Sequence, residues 1–155
     1  MATKRKPVKK ATRKSRAPKP IPYTDSKDPV VILSHVARAI LDEPKRYDQT
    51  VWRAKKDDPT DDVYDYILAS RYPACGTICC VAGWVCEVTK TPVRRVASVS
   101  AQAAHALGLD YWSARGLFDG GEVDGMLGSR QHAKNGVEHI RKFAKDTWGK
   151  DLVDI

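Results

Sequence analysis

All four cysteines of the chain lie within one apolar segment, residues 75–86. From Ile78 onward, the apolar residues of this segment follow helical spacing, at positions i, i+3, i+4 and i+7: Ile78, Val81, Ala82 and Val85. The remaining faces are equally apolar, and the first charged residue is Glu87. A helix that is apolar on every side must be buried inside protein, because this run is far too short to cross a bilayer. We therefore predict a buried central helix that begins at Ile78, with Thr77 as its N-cap.

Caps and apolar stripes predict further helices around this segment. Asp28 followed by Pro29 is a helix start, and Pro44 ends the stripe that follows it: Ile32, Val36, Ala39 and Ile40. Later helices are predicted over residues 101–107, closed by Gly108, and over Tyr111–Phe118, with Trp112, Leu117 and Phe118 as its apolar residues. The last helix should begin at Ser129 or Arg130 and run to Trp148, with its core stripe on Val137, Ile140, Phe143 and Ala144.

The fold class predicted from these patterns is all-α. Residues 28–155 should form a single small bundle of five or six short helices around the buried central helix. Residues 47–52 are predicted to form a short element that places Trp52 against the core, and residues 61–70 a short helix. Residues 55–62, which are charged and contain Pro59, should form a surface loop, as should the glycine-rich residues 119–128.

The net charge of +8 comes from one end of the chain. Removing the nine basic residues of the first twenty leaves 18 basic against 19 acidic residues, and those nine have no acidic neighbour: Lys4, Arg5, Lys6, Lys9, Lys10, Arg13, Lys14, Arg16 and Lys19. Repeated prolines and mutual repulsion predict a disordered Lys/Arg/Pro-rich tail over residues 1–27. A basic beginning also argues against a secretory leader, so we expect a cytoplasmic protein, and no membrane segment.

The central segment resembles a block found in small proteins of actinobacteria and their phages. The resemblance rests on Cys75-Gly76-Thr77-x-x-Cys80-x-Ala82-Gly83-Trp84, with a Tyr-Asp-x-x-x-Trp stretch upstream (residues 47–52) and a Leu-Gly-Leu turn and a Leu-Phe pair downstream (residues 107–109 and 117–118). It spans roughly residues 30–127 and implies no activity. The tail, the 55–62 loop, Cys79 and Cys86 are additions to that pattern.

The cysteine spacing leaves three alternatives for the thiols. Buried thiols are favoured because the segment is apolar. A disulfide between Cys75 and Cys80 is the second, and a metal held by Cys75, Cys79 and His105 is the third. The spacing is not the paired C-x2-C pattern typical of a tetrahedral zinc site. The sequence therefore predicts no metal and no cofactor.

Catalytic patterns are equally weak. A cysteine near a helix N-terminus can have a lowered pKa, but its base would have to be one of four scattered histidines: His35, His105, His132 or His139. The sequence contains no phosphate-binding glycine loop and no serine nucleophile elbow. We expect a protein with no catalytic residues and no small-molecule substrate.

Nucleic-acid binding has two sequence indications. The basic tail can neutralise phosphates, although solubilising tails have the same composition. Residues 100–118 have the outline of a helix-turn-helix, with Ala104, Gly108 and Leu109 at the positions of its small, turn and buried residues. The early residues of the recognition helix would then be Asp110, Tyr111, Ser113 and Arg115, of which Arg115 is basic. Plain core packing of two short helices would give the same pattern.

The function predicted from the sequence is a non-enzymatic, nucleic-acid-associated protein. DNA would be bound mainly electrostatically through the tail, with Arg115 as the basic residue of the folded contact. The alternative is a phage-type protein-interaction module that binds and modulates a host protein through the near-neutral globular surface. In that case the protein would act in the host cytoplasm.

Overall fold

A computed structural model describes residues 21–48, 53–55, 77–92, 99–118 and 129–153. Within these residues the chain is all-α, and five α-helices make up its bundle: α1 (Pro29–Asp42), α2 (Val81–Val88), α3 (Val99–Ala106), α4 (Tyr111–Phe118) and α5 (Arg130–Trp148). A 3-10 turn follows α1 (Pro44–Arg46), and two three-residue strands, β1 (Arg53–Lys55) and β2 (Thr77–Cys79), pair antiparallel beside the bundle. The all-α class predicted from the sequence is confirmed.

Helix α2 is the buried centre of this bundle. Every residue of α2 except Glu87 is buried; Trp84 is 1% exposed and Val85 0%. Helices α1 and α3 pack against it on two sides, and α4 contacts it as well. Fully burying an aliphatic side chain contributes about 1.5–3 kcal/mol, so this helix supplies a large part of the stabilising burial.

The start of the central helix differs from the prediction. Helix α2 begins at Val81 rather than at Ile78, and Cys80 rather than Thr77 occupies the N-cap position. Thr77, Ile78 and Cys79 form strand β2 and pair with β1 of a distant part of the chain, in the register Arg53↔Cys79 and Lys55↔Thr77. Pairing with β1 replaces one further turn of helix, and β-branched residues such as Thr77 and Ile78 favour the extended backbone. Lys55, predicted to begin a loop, therefore ends a strand.

Helix α1 forms as its sequence predicts. The Asp28 carboxylate accepts a hydrogen bond from the backbone N–H of Val30 at 2.9 Å, and Pro29 occupies the first turn. The helix ends at Asp42, ahead of Pro44. The predicted stripe is buried throughout: Ile32, Val36, Ala39 and Ile40. Local capping and periodicity were sufficient here because both signals lie within the helix itself.

The chain is in contact with the bundle before α1 begins. The backbone N–H of Thr24 donates to the carbonyl of Val88 at 2.9 Å, and Thr24 is buried. The Lys90 ammonium lies 4.0 Å from the centroid of the Tyr23 ring. Residues 21–24, which the sequence assigns to the disordered tail, therefore pack against the bundle, with Tyr23 and Thr24 at the end of α2. Residues 1–20 lie outside the described residues, as do the predicted helix over 61–70, Trp52 and the 119–128 loop.

Helix α5 is the longest and closes the bundle against α1 and α4. Ser129 caps it by accepting from the backbone N–H of His132 at 3.1 Å, and Gly149 ends it in the left-handed conformation at φ 67°. Both ends agree with the prediction. Its buried face combines predicted and unpredicted members: His132, Ala133, Gly136, Val137, Ile140 and Ala144. Among the described residues, no helix combines the length and the apolar character that crossing a membrane requires.

Gly136 sets how closely α5 approaches the segment after α1. A Cβ atom at this position would lie 2.5 Å from Cε1 and Cζ of the buried Tyr47 ring. Real Cβ atoms do not approach other atoms this closely, so a side chain at position 136 requires the backbone or the ring to move. Gly116, on α4, is the matched contrast, because a Cβ there would meet only Phe143 Cε2, at 3.9 Å.

We predict that Gly136→Ala lowers the free energy of unfolding by about 1–3 kcal/mol through overpacking against Tyr47. Gly116→Ala should raise it by about 0.5–1 kcal/mol, since alanine loses less conformational entropy in a helix. Urea denaturation of the two variants and the wild type measures both effects. Equal effects of the two alanines would contradict the proposed close approach.

Candidate nucleic-acid interface

Helices α3 and α4 form the two helices of the predicted helix-turn-helix. Gly108, at φ 66°, lies in the left-handed conformation just after α3. The backbone N–H of Leu109 donates to the Ala104 carbonyl at 2.9 Å, and that of Gly108 donates to the His105 carbonyl at 3.0 Å. This pair of hydrogen bonds is the Schellman motif, which glycine favours because it has no Cβ. Ala104 is buried and Gly108 is the turn residue, as predicted, whereas Leu109, predicted to be buried, is only half-buried.

Asp110 fixes the start of α4. Its carboxylate accepts from the Ser113 backbone N–H at 3.0 Å, and the Ser113 hydroxyl donates to its second oxygen. These two hydrogen bonds lower the pKa of the Asp110 carboxyl below its ordinary value. The bond from the Ser113 hydroxyl has the larger effect on the pKa, and the bond from the backbone N–H comes second. Asp110 is exposed, so α4 begins with a negative charge at the surface.

The outer face of α4 is aromatic and basic. Trp112 is 71% exposed and Tyr111 40%, while Ala114, Leu117 and Phe118 face the core. The two aromatic rings meet edge to face, with centroids 5.4 Å apart, and the Arg115 guanidinium carbon lies 5.8 Å from the centroid of the Trp112 ring. We call Tyr111, Trp112 and Arg115 the α4 face.

Trp112 is the residue whose place the sequence left undefined. It was grouped with Leu117 and Phe118 only as apolar, yet it points to solvent while they are buried. Helical spacing contains the signal, because Ala114, Leu117 and Phe118 form an i, i+3, i+4 stripe and Trp112 falls on the opposite side of the helix. Its exposure therefore follows from the pattern once the buried stripe is identified.

Helix α5 supports α4 from behind. His139 Nε2 lies 3.2 Å from the carbonyl oxygen of Leu117, near the end of α4. The half-buried Phe143 ring lies behind Gly116 and meets Trp148 edge to face, with centroids 5.7 Å apart. The α4 face is thus presented by a helix that is capped at its start and packed along its inner side.

Of the sequence-predicted binding residues, the structure places Arg115 on this exposed face. The nine basic residues from Lys4 to Lys19 lie outside the described residues. No protein-family model, curated protein or solved structure matches this chain. The resemblance to small actinobacterial and phage proteins therefore stays a prediction, and function must be argued from the residues themselves.

A buried polar cluster lies on the other side of the bundle, and the sequence did not predict it. Its members are Arg46, Tyr47, Asp48, Trp84 and His132, each less than 5% exposed. The Arg46 guanidinium lies 4.8 Å from the centroid of the Trp84 ring, and the rings of Tyr47 and His132 are 4.9 Å apart. Within the part of the chain that the structure describes, neither ring nitrogen of His132 has a hydrogen-bond partner, nor does Nε1 of Trp84. The cluster is enclosed by the core, so we treat it as structural.

The cysteines follow the buried-thiol alternative. Cys79, Cys80 and Cys86 are buried and form no disulfide, which removes the Cys75–Cys80 bridge; Cys75 lies outside the described residues. Burial raises the pKa of Cys80 to about 12, although the backbone N–H groups of Gly83 and Ala82 act in the opposite direction. A thiol with this pKa is not a nucleophile at neutral pH.

Of the three residues of the metal alternative, the structure describes Cys79 and His105, and their surroundings differ. His105 is exposed on α3, whereas Cys79 is 1% exposed. In the described ranges, no group of three or more His, Cys, Asp or Glu side chains is arranged to hold a metal ion. Among the described residues, the cysteines therefore belong to the packed core.

We predict that at most one of the four thiols reacts with a thiol reagent in the folded protein, and that all four react in denaturant. Burial excludes the reagent from Cys79, Cys80 and Cys86 and keeps Cys80 protonated. Thiol titration at about pH 8, where an ordinary cysteine is substantially reactive, measures the number directly. Two or more fast thiols in the folded protein would contradict the buried assignment.

A second prediction concerns the cap of α4. Asp110→Ala should lower the melting temperature at pH 7, whereas Asp110→Asn should preserve it, because asparagine caps as well as aspartate. Since the pKa of Asp110 is lower in the folded than in the unfolded chain, its contribution is complete above the unfolded pKa of about 3.9 and is lost as the pH falls through the folded pKa. Thermal melts across pH should show the wild-type advantage over alanine shrinking as the pH falls below about 3.9, the unfolded pKa. A constant difference at every pH would rule out the charged cap.

Proposed function

We propose that this protein associates with nucleic acid, with DNA as its expected ligand, without catalysing a reaction. The basic residues of the first twenty positions supply a polycation, and the α4 face, on the second helix of the predicted helix-turn-helix, supplies a folded contact. The observation that carries the proposal is the combination of this charge, which has no acidic residue within it, with an exposed aromatic and basic helix face.

The distribution of charge supports different roles for the tail and the folded domain. Nine positive charges lie in residues 1–20, while the rest of the chain has 18 basic and 19 acidic residues. Neutralising phosphates releases condensed counterions, so the tail would provide affinity that depends steeply on salt and little on sequence. Any preference among nucleic acids must then come from the folded contact, where base-reading side chains can be fixed in place.

The tail and the fold are directly connected. Tyr23 and Thr24 pack at the end of α2, so the polycation leaves the bundle from a fixed point. Twenty residues reach at most about 70 Å when fully extended, whereas a domain of this size has a radius of gyration of about 14 Å. One nucleic-acid strand could therefore contact the tail and the α4 face together.

Buried thiols support a cytoplasmic setting. Cys79, Cys80 and Cys86 form no disulfide although they lie close together in sequence. Thiols persist in reducing compartments, whereas disulfides form in oxidising ones. We therefore propose that the protein acts in the cytoplasm, which is a compartment where nucleic acid is accessible in bacteria.

The competing proposal is a protein-interaction module directed at a host protein. It is favoured by the same face, because Trp, Tyr and Arg are the residue types most enriched at energetically important positions of protein interfaces. The two proposals differ in their salt dependence. A protein partner bound through Trp112 would not require the tail.

The test replaces all nine basic residues of the tail by glutamine in the full-length chain, which leaves Tyr23 and Thr24 in place. For the wild type, log K for DNA should fall against log salt with a slope of about −4 to −5 if about five charges engage phosphates. The glutamine variant should lose this slope and most of the affinity. Fluorescence anisotropy with labelled DNA over a salt titration provides both values. Failure of the wild type to bind at about 50 mM salt, or equal binding by the variant, would contradict the proposal.

A further inference from the structure

The most exposed large apolar side chain in the described residues is Trp112, at 71%. The others are Tyr23, Leu41, Tyr111 and Val153. Tyr23 is covered in part by Lys90, Leu41 lies near the end of α1, and Val153 follows α5 and donates its backbone N–H to Ser34. Only Tyr111 and Trp112 are adjacent, and Arg115 lies beside them. Contiguous exposed apolar surface marks an interaction site more often than scattered single residues do.

We propose that the α4 face is a stacking platform for the unpaired bases of a single-stranded nucleic acid. This inference rests on the proposed function and specifies the form of nucleic acid that the folded domain prefers. Aromatic rings stack on bases of any sequence, with Trp and Tyr supplying the ring faces and Arg adding a cationic planar group. Trp112, Tyr111 and Arg115 are these residue types, on one short helix.

Charge complementarity favours a nucleic acid over an apolar partner. Arg115 lies next to the indole, and the nine basic residues of the tail belong to the same chain. A stacked base brings its phosphate close to the helix, where the guanidinium can neutralise it. The tail, which spans at most about 70 Å when fully extended, can then follow the phosphates of neighbouring nucleotides.

The start of α4 disfavours deep entry into a duplex groove. The first residues of a recognition helix approach base edges between two phosphate backbones. Here the Asp110 carboxylate, exposed and with a lowered pKa, occupies that end of the helix and would be repelled by phosphates. In a duplex the base faces are also covered by their neighbours, so the Trp112 ring has no base face to contact. An unpaired strand avoids both obstacles, because its bases can turn toward the ring and its single backbone need not pass the Asp110 carboxylate.

The experiment compares a twenty-nucleotide oligo(dT) with a 20-base-pair duplex, using the full-length protein at fixed salt. Trp112→Ala should weaken oligo(dT) binding by about 5- to 150-fold, the range expected for the loss of one base–aromatic stack, and should change duplex affinity less than about twofold. Trp112→Phe should keep most of the single-strand affinity, because it retains a ring. Leu41→Ala is the matched control, since it removes an exposed apolar side chain from α1, away from the α4 face, and should leave both affinities unchanged.

A spectroscopic readout distinguishes stacking from a general loss of contact. Oligo(dT) should quench part of the wild-type tryptophan fluorescence, and this quenching should disappear in Trp112→Phe although that variant still binds. Two of the other three tryptophans serve as an internal reference, because Trp84 is buried and Trp148 is half-buried against Phe143; Trp52 lies outside the described residues. Circular dichroism melts should give the same melting temperature for the Trp112 variants and the wild type, because the side chain is mostly exposed.

The outcomes separate this inference from the proposed function. If the wild type binds neither ligand at about 50 mM salt, both fail. If it binds with a salt-dependent affinity that Trp112→Ala leaves unchanged, the tail proposal stands and the stacking platform is overturned. Equal loss of single-strand and duplex affinity would also overturn it. So would a wild-type dimer that Trp112→Ala converts to a monomer in sedimentation, since the occupant of the face would then be a second copy of the chain.

Discussion

The fold depends on covering one short helix from all sides. Helix α2 exposes little except Glu87, so it cannot exist at a surface, and its neighbours are arranged to enclose it. Helices α1 and α3 pack directly on it, and the segment around Thr24 closes its C-terminal end through the hydrogen bond to Val88. Because α2 has only eight residues, its own backbone hydrogen bonds would not keep it helical in water. Tertiary burial keeps it folded.

The same enclosure explains the buried polar cluster. Tyr47 lies against α5 where Gly136 leaves room for its ring, and Arg46 is stacked over Trp84 of α2. Burial raises the pKa of the Tyr47 hydroxyl, which therefore stays neutral. Buried polar groups without partners are costly, and His132 and Trp84 carry such atoms within the described residues. Packing of the aromatic rings between the helices offsets this free-energy cost.

Outside the core, the excess positive charge and the exposed aromatic face lie in different parts of the chain. Its excess positive charge lies in the first twenty residues, and the aromatic face lies on α4, which is held by its cap, by the turn at Gly108 and by α5 behind it. A mobile partner such as a nucleic-acid strand needs attraction over distance and a fixed surface at contact. Electrostatic attraction acts over about a Debye length, whereas stacking acts only at van der Waals distance, so the two tasks suit different parts of the chain.

The sequence alone determined the features that depend on neighbours a few residues apart. The caps at Asp28 and Ser129, the turn at Gly108 and the bounds of α4 all follow from hydrogen bonds between residues at most five positions apart. The apolar pattern of residues 81–88 likewise required a buried helix. These predictions needed no knowledge of the fold.

Only the tertiary structure decided the rest, because contacts between distant residues override local preference. Pairing with β1 turned residues 77–79 into a strand and moved the start of α2 to Val81. Packing of residues 21–24 against α2 extended the ordered domain toward the N-terminus. The burial of Arg46 and Asp48, and the choice of Ala114, Leu117 and Phe118 rather than Trp112 as the buried side of α4, depend on which residues meet the core. That choice is set by the whole bundle, since each helix buries the face its neighbours can cover.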